Sequence, residues 1–201
     1  MKILAWDTSS RSLSVALFEG EKKIASVDSE PIPSESLIPV VDKLLKKHAL
    51  SLRDIGCLAV GLGPGSFTGL RVGIVSAKLM GYLTHIPLVG ISSLEAIAFG
   101  AGRSNEFVGV TLDARKNQIY AAVYQFIDGK TKTIQKPILT TTNDFIKKNS
   151  NCAIFVNDGT ARAESIAILA GQRIRAKKFI APKNLKPLYL HPKDCNVTKK
   201  Y

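Results

Sequence analysis

Metal chemistry is the first thing this sequence lacks. Its three histidines, His48, His85 and His191, are scattered along the chain, and no HxxxH, HxExxH or Cys/His cluster occurs. A zinc or iron site built on such spacing is excluded. The three cysteines, Cys57, Cys152 and Cys195, are odd in number, widely separated and form no CxxC pair, the pattern of reduced thiols in a core. There is no Gly-x-Ser-x-Gly elbow and no acid–base pair beside a nucleophile, so acyl-transfer chemistry has no visible seat. Long apolar runs are absent as well. The most apolar stretch, 55–94, is interrupted by Arg71 and Lys78, too early for a membrane span of about twenty residues. Lys2 precedes only Ile3-Leu4-Ala5-Trp6 before Asp7, too short for a secretory h-region, and the expectation is a cytoplasmic protein without membrane contact.

What is present is a chain of 201 residues, 45% hydrophobic, enough for one ordinary domain or two small ones packed together. The formal charge is +12. The excess gathers at the end: Arg173 to Tyr201 holds nine Lys/Arg and a single acid, Asp194. Such a tail attracts phosphate backbones or acidic protein surfaces, and a merely solvated tail carries the same signature.

Hydrophobic periodicity reads as alternating strands and helices. Strands are expected over Lys2–Trp6, Arg11–Phe18, Lys22–Asp28, Cys57–Leu62 and His85–Ile91, and helices over Ser34–His48, Thr68–Leu83 and Ser92–Ala98. Ser34 is the expected N-cap of the first helix, with a slight kink at Pro39. The scheme then restarts, with strands over Phe107–Leu112, Gln118–Phe126, Lys132–Leu139 and Ala153–Val156 and helices over Thr142–Lys147 and Ala161–Arg173. Shifting by 106 residues without a gap lays Asp7 on Asp113 and Leu13–Phe18 on Ile119–Tyr124. A duplicated β-β-β-α-β-α unit follows, with one lobe over 1–104 and a second over 105–201. Two such halves make an α/β protein of the actin-like ATPase (ribonuclease H-like) fold.

Three constellations could carry function. Asp7-Thr8-Ser9 follows the first strand, where a carboxylate and hydroxyls can hold a metal-bound water and a phosphate, or can close a turn on their own backbone. Gly61 to Arg71 is a glycine-rich turn leading into a helix, a place where N–H groups approach an anion, with Gly63, Gly65 and Ser66 nearest. It is neither a Walker A loop nor a dinucleotide fingerprint, since no Gly-Lys-Ser/Thr follows and no acid lies between Asp54 and Glu95. Third, Gly69, Gly73, Ala77 and Gly81 recur every four residues, one stripe along a helix. Such a stripe admits another backbone, either a partner's or the chain's own sheet.

The string Gly63-Pro64-Gly65-Ser66-Phe67-Thr68-Gly69-Leu70-Arg71-Val72-Gly73 resembles the signature of the TsaB family, formerly YeaZ. Asp7-Thr8, Ile86–Leu94, Asp113-Ala114-Arg115 with Tyr120, and Pro187-Leu188-Tyr189-Leu190 extend the resemblance over nearly the whole chain. It implies a non-catalytic subunit in the making of threonylcarbamoyladenosine on tRNA, supporting the catalytic relative TsaD, with a TsaE-type ATPase joining and tRNA in the complex, held in part by the basic tail. Contacts with TsaD, or with a second copy, would use the helices at 34–48 and 68–83. Leu70, Arg71, Gly73, Ile74, Val75, Ala77, Lys78 and Gly81 are the interface residues this implies. TsaD-like proteins hold a metal with His-x-Glu-Gly-His after this strand, whereas this chain has Ser93-Leu94-Glu95-Ala96-Ile97, so neither metal-bearing histidine is kept. No cofactor is required on this reading, with ATP or ADP at or near the partner interface left open. Family members carry a longer stretch between Gly159 and Pro187, so a shortened second lobe is expected. The rival reading is a small actin-like ATPase or kinase using Asp7 and the glycine loop.

Overall fold

The structure, a computed structural model, describes residues 1–28, 33–102 and 105–191. Nine strands and five α-helices alternate along these residues. β1 (Lys2–Asp7), β2 (Ser14–Glu19), β3 (Lys22–Asp28), β4 (Ile55–Gly61) and β5 (Leu88–Ile91) form a five-stranded sheet in the order β3-β2-β1-β4-β5. β6 (Phe107–Asp113), β7 (Ile119–Ile127), β8 (Lys130–Thr140) and β9 (Ile154–Asn157) form a second sheet in the order β8-β7-β6-β9. The first three strands of each sheet are antiparallel neighbours, and β4 and β9 join β1 and β6 in parallel. The duplication is therefore real, and the second copy is shorter: β5 has no counterpart among the described residues of the second sheet. The gapless match is off by one in the turn. Asp7 pairs with Ser14 while Asp113 pairs with Ile119, so the first turn of the second copy is one residue shorter.

The helices are α1 (Leu37–Lys47), α2 (Phe67–Thr84), α3 (Ser93–Ala101), α4 (Thr142–Lys148) and α5 (Ala163–Arg175). A short 3₁₀ turn, Ser34–Ser36, precedes α1, so Ser36 rather than Ser34 takes the N-cap place, without a side-chain bond. Pro39 falls in the first turn of α1, where its missing N–H would have no intrahelical acceptor.

β1 alternates Ile3 and Ala5 on one face with Leu4 and Trp6 on the other, all buried, because the sheet is covered on both sides. α1 and α2 cover the outer face through Leu37, Val41, Leu44, Leu70, Ile74 and Ala77. α3 and α5 fill the space between the sheets, packing Leu94, Ile166 and Leu169 against Ala5 and Ala16 of the first sheet and Val110 and Ala122 of the second. α4 closes the far side of the second sheet with Phe145. The halves exchange helices: α5, from the second repeat, lies on β1, β2, β4 and β5, while α3, from the first, lies on β6, β7 and β9. The result is two sheets around one shared core.

After α5 the chain returns to the first sheet. Ile180 bridges Leu88 at the free edge of β5, Leu185 is buried beside α2, and Leu188 donates to the Leu62 carbonyl. Residues 177–190 are thus a strap over the first half rather than a loose tail. Arg173 and Arg175 are committed to Glu95 and Glu21. The expected basic residues Lys193, Lys199 and Lys200, with Cys195, lie outside the described residues. Among the described residues no helix is long and apolar enough to cross a membrane.

Candidate functional site

Asp7 ends β1 in the middle of the first sheet, wholly buried. One carboxylate oxygen accepts the Ser9 N–H at 2.8 Å and the Ser9 hydroxyl at 2.6 Å, and the other accepts the Ser93 hydroxyl at 2.6 Å. Burial pushes its carboxyl above the usual range, against the opposing pull of the Ser9 and Ser93 hydrogen bonds. The Ser93 hydroxyl also accepts the Gly63 N–H at 3.0 Å, and so fastens the glycine turn to Asp7. Thr8 donates to the Gly69 carbonyl at 2.7 Å, and the Trp6 indole to that of Gly73 at 3.1 Å. The Ser66 N–H reaches the Ser9 carbonyl at 2.6 Å.

The structure therefore does bring Asp7, Thr8, Ser9, Gly63, Gly65 and Ser66 together. They meet one another. A methyl group added at Gly61 would strike the Asp7 carboxylate, one at Gly65 or Gly69 the Ser9 or Thr8 carbonyl, and one at Gly73 the Thr8 hydroxyl. The space that glycine leaves, which an anion would need, is filled by the chain's own first turn. The Ser66 hydroxyl caps α2 by accepting the Gly69 N–H.

The small-residue stripe has the same explanation. Gly69 and Gly73 press on the first turn and Gly81 on Leu88 of β5. Of the residues expected at an interface, Leu70, Gly73, Ile74, Ala77 and Gly81 are buried in the chain's own core. Arg71 and Val75 are exposed and Lys78 is half-buried. The open face of α2 is a different stripe: Phe67, Val75, Leu79, Tyr82 and Leu83, exposed by 48%, 59%, 56%, 73% and 68%. Sequence reasoning missed Leu79, Tyr82 and Leu83, although Leu79 and Leu83 fall on the i, i+4 row through Phe67, Arg71 and Val75, opposite the glycines, and Tyr82 lies beside that row, three residues after Leu79. Tyr189 from the C-terminal strap enlarges this patch, its ring 5.6 Å from that of Phe67, and the Arg71 guanidinium lies 3.7 Å over the Phe67 ring.

The three positions of the absent metal motif have separate tasks. Ser93 holds Asp7, Ile97 lies against Gly159, and Glu95, nearly buried, accepts Arg173 of α5 at 2.7 Å and the Thr131 hydroxyl of β8. No group of three His, Cys, Asp or Glu side chains placed to hold a metal occurs among the described residues.

The duplicated topology with exchanged helices defines the actin-like fold. A family model described as "TsaD: tRNA N6-adenosine threonylcarbamoyltransferase" matches residues 33–183. The tRNA threonylcarbamoyladenosine biosynthesis protein TsaB of Bacillus subtilis is 30% identical over 166 residues, 80% of this chain and 72% of that protein. The TsaB of Escherichia coli is 39% identical over 128 residues, 62% of this chain and 55% of that protein. The solved structure of YeaZ from Pseudomonas aeruginosa superposes with a TM-score of 0.83 at 24% identity, covering 94% of this chain and 99% of that one. The chain belongs to the TsaB family.

Proposed function

We propose that this chain is a non-catalytic subunit in the biosynthesis of threonylcarbamoyladenosine on tRNA, and that it supports a TsaD-type enzyme by docking through the outer face of α2. The pathway comes from what its TsaB relatives are named for. The observation that carries the docking mode is the row Phe67, Val75, Leu79, Tyr82 and Leu83, five large apolar side chains held open on one rigid helix. Packing of an apolar helix face against a partner helix is a recurrent docking mode, read as anchors spaced by three and four. Aromatic residues and arginine, here Phe67, Tyr82, Tyr189 and Arg71, are the types that dominate such interfaces. The non-catalytic part of the reading rests on Asp7, spent on Ser9 and Ser93, and on the serine and isoleucine that stand where TsaD-like proteins carry histidines.

The test is light scattering after size-exclusion chromatography of this chain mixed with the TsaD of its own organism. A heterocomplex is expected, and Leu79→Arg with Tyr82→Arg abolishes it while the variant stays folded. A complex that survives both changes moves the interface elsewhere. If the chain alone runs as a homodimer that the same changes disperse, and TsaD never enters, the patch serves self-association and the subunit reading falls. TsaE and tRNA are the further members of the complex on this reading, and the same experiment with each added reports on them.

A further inference from the structure

On the outer face of the first sheet α2 lies between two other segments. α1 packs over β2, α2 over β4, and the C-terminal strap follows the free edge of β5, where Ile180 bridges Leu88. The strap then keeps beside α2 along its length. Leu88, which Ile180 bridges, is the side chain that Gly81 presses on near the end of the helix. The turn Pro182–Asn184 rests against α2, Leu185 is buried in one cluster with Leu70 and Ile74, and Tyr189 meets Phe67 at the start of the helix. The open apolar row of α2 is thus the crest of a surface with the strap on one side and α1 on the other.

The charge on that surface is almost all of one sign. Neither α2, Phe67–Thr84, nor the stretch 176–191 contains an Asp or Glu. Arg71 and Lys78 are seven residues apart, two helical turns, so they share one side of α2, and Tyr82 follows Lys78 by four. It is the strap side: Arg71 lies over the Phe67 ring, which Tyr189 of the strap also meets. Lys183 and Lys186 stand exposed on the strap itself. Among the described residues none of Arg71, Lys78, Lys183 and Lys186 has an ion pair. On the other side α1 exposes Lys43, Lys46 and Lys47. Of the acids there, Glu35 is exposed in the turn before α1, and Asp42 is taken by Lys46 at 2.8 Å. Elsewhere the chain answers its cations with its own carboxylates, as in Lys2–Glu19, Lys23–Glu164 and Arg175–Glu21. Around α2 it does not.

We infer that the surface around α2 takes a partner protein that is acidic around an apolar centre, and that it turns away a second copy of this chain. The inference rests on α2 being the docking face, as proposed above. Opposite charges around an apolar centre steer encounter and select the partner, whereas like charges brought together across an interface are costly. Two copies meeting α2 to α2 are related by a twofold axis, so each offers the other the same residues. With the helices antiparallel, strap meets strap, and Lys183 and Lys186 face their own kind. With the helices parallel, the strap of one copy meets α1 of the other and finds Lys43, Lys46 and Lys47. Neither arrangement supplies the carboxylates that Arg71, Lys78, Lys183 and Lys186 lack. A partner with Asp and Glu bordering an apolar helix face supplies them. The apolar row thus holds the partner, and the cations beside it decide which partner is held.

Salt separates the two associations. Surface plasmon resonance of this chain with the TsaD of its own organism is expected to give an association rate about tenfold faster at about 0.1 M than at about 1 M sodium chloride, as the screening length falls from about 10 Å to about 3 Å. Sedimentation equilibrium of the chain alone is expected to run the other way, with monomer at low salt and any dimer only where the repulsion is screened. Lys183→Glu/Lys186→Glu, folded by circular dichroism, slows association with TsaD about tenfold at low salt and leaves the high-salt rate unchanged. Lys132→Glu/Lys136→Glu makes the same change of charge on β8, in the other sheet, and has far less effect. If TsaD binds at a rate that neither salt nor the strap variant alters, the inference is overturned and the docking reading stands. The same holds if TsaD binds while the chain dimerises as tightly at low salt as at high. If TsaD binds at neither salt, the docking reading falls and takes this inference with it.

Discussion

The Ser93 hydroxyl sits 2.6 Å from the Asp7 carboxylate, joining the start of α3 to the end of β1 across 86 positions of sequence. Ser93→Ala removes that donor and strands one oxygen of a buried acid. A loss of about 1–3 kcal/mol in unfolding free energy is expected by urea denaturation.

Asp7 also gives stability a pH dependence of known sign. Its folded pKa lies above the ordinary value of 3.8, chiefly because burial disfavours the charge. The folded state thus binds the proton more readily than the unfolded chain, so the contribution of Asp7 improves as pH falls from its raised pKa toward 3.8 and is lost as pH rises through that window. Subtracting the stability–pH curve of Asp7→Asn from that of the unmodified chain isolates this slope. A difference that instead grows with rising pH contradicts the buried-carboxylate account.

Two glycine substitutions separate packing from propensity. Gly69→Ala drives a methyl into the Thr8 carbonyl, a backbone group that cannot swing aside, and is expected to cost about 2–3 kcal/mol as overpacking. Gly171→Ala, inside α5 with nothing near its added methyl, is expected to stabilise by about 0.5–1 kcal/mol. Thermal midpoints of the two variants should move in opposite directions.

On α2 the same contrast divides core from surface. Ile74→Ala is expected to cost about 2–5 kcal/mol, because Ile74 is buried between helix and sheet. Leu79→Ala, one turn on and open to solvent, should stay within about 0.5 kcal/mol in the isolated chain. Chemical denaturation of both variants reads the difference.

The Glu95–Arg173 pair ties α3 to α5. Glu95 is nearly buried while Arg173 keeps a partly open side chain. Arg173→Ala leaves the carboxylate buried with only the Thr131 hydroxyl, and about 3 kcal/mol of destabilisation is expected. Arg173→Ala/Glu95→Gln recovers part of this in a double-mutant cycle, since the lone charge is gone.

Much of this architecture is written locally. The strands end at Asp7 and Asp113 because the runs Ile3–Trp6 and Phe107–Leu112 stop there, and the repeat shows because both copies set an Asp before the turn into the next strand. The stripe Gly69–Gly81 announces close approach without saying whose backbone approaches, and Leu70 and Ile74 beside it resemble contact residues until the sheet is placed beneath them. Leu79, Tyr82 and Leu83 were hidden for a related reason: an α2 apolar on both sides gives no sign of which face the core takes. The exchange of α3 and α5 depends on contacts across the whole chain, which no window of sequence contains.

That exchange has a consequence for synthesis. As the chain leaves the ribosome, Ile3, Ala5, Ala16 and Phe18 emerge early, yet the helix that covers them, α5, is translated more than 140 residues later. The nascent first sheet must therefore wait with an oily face bare, a natural client for a chaperone. A messenger cut short before α5 would yield an aggregating fragment rather than half a working protein.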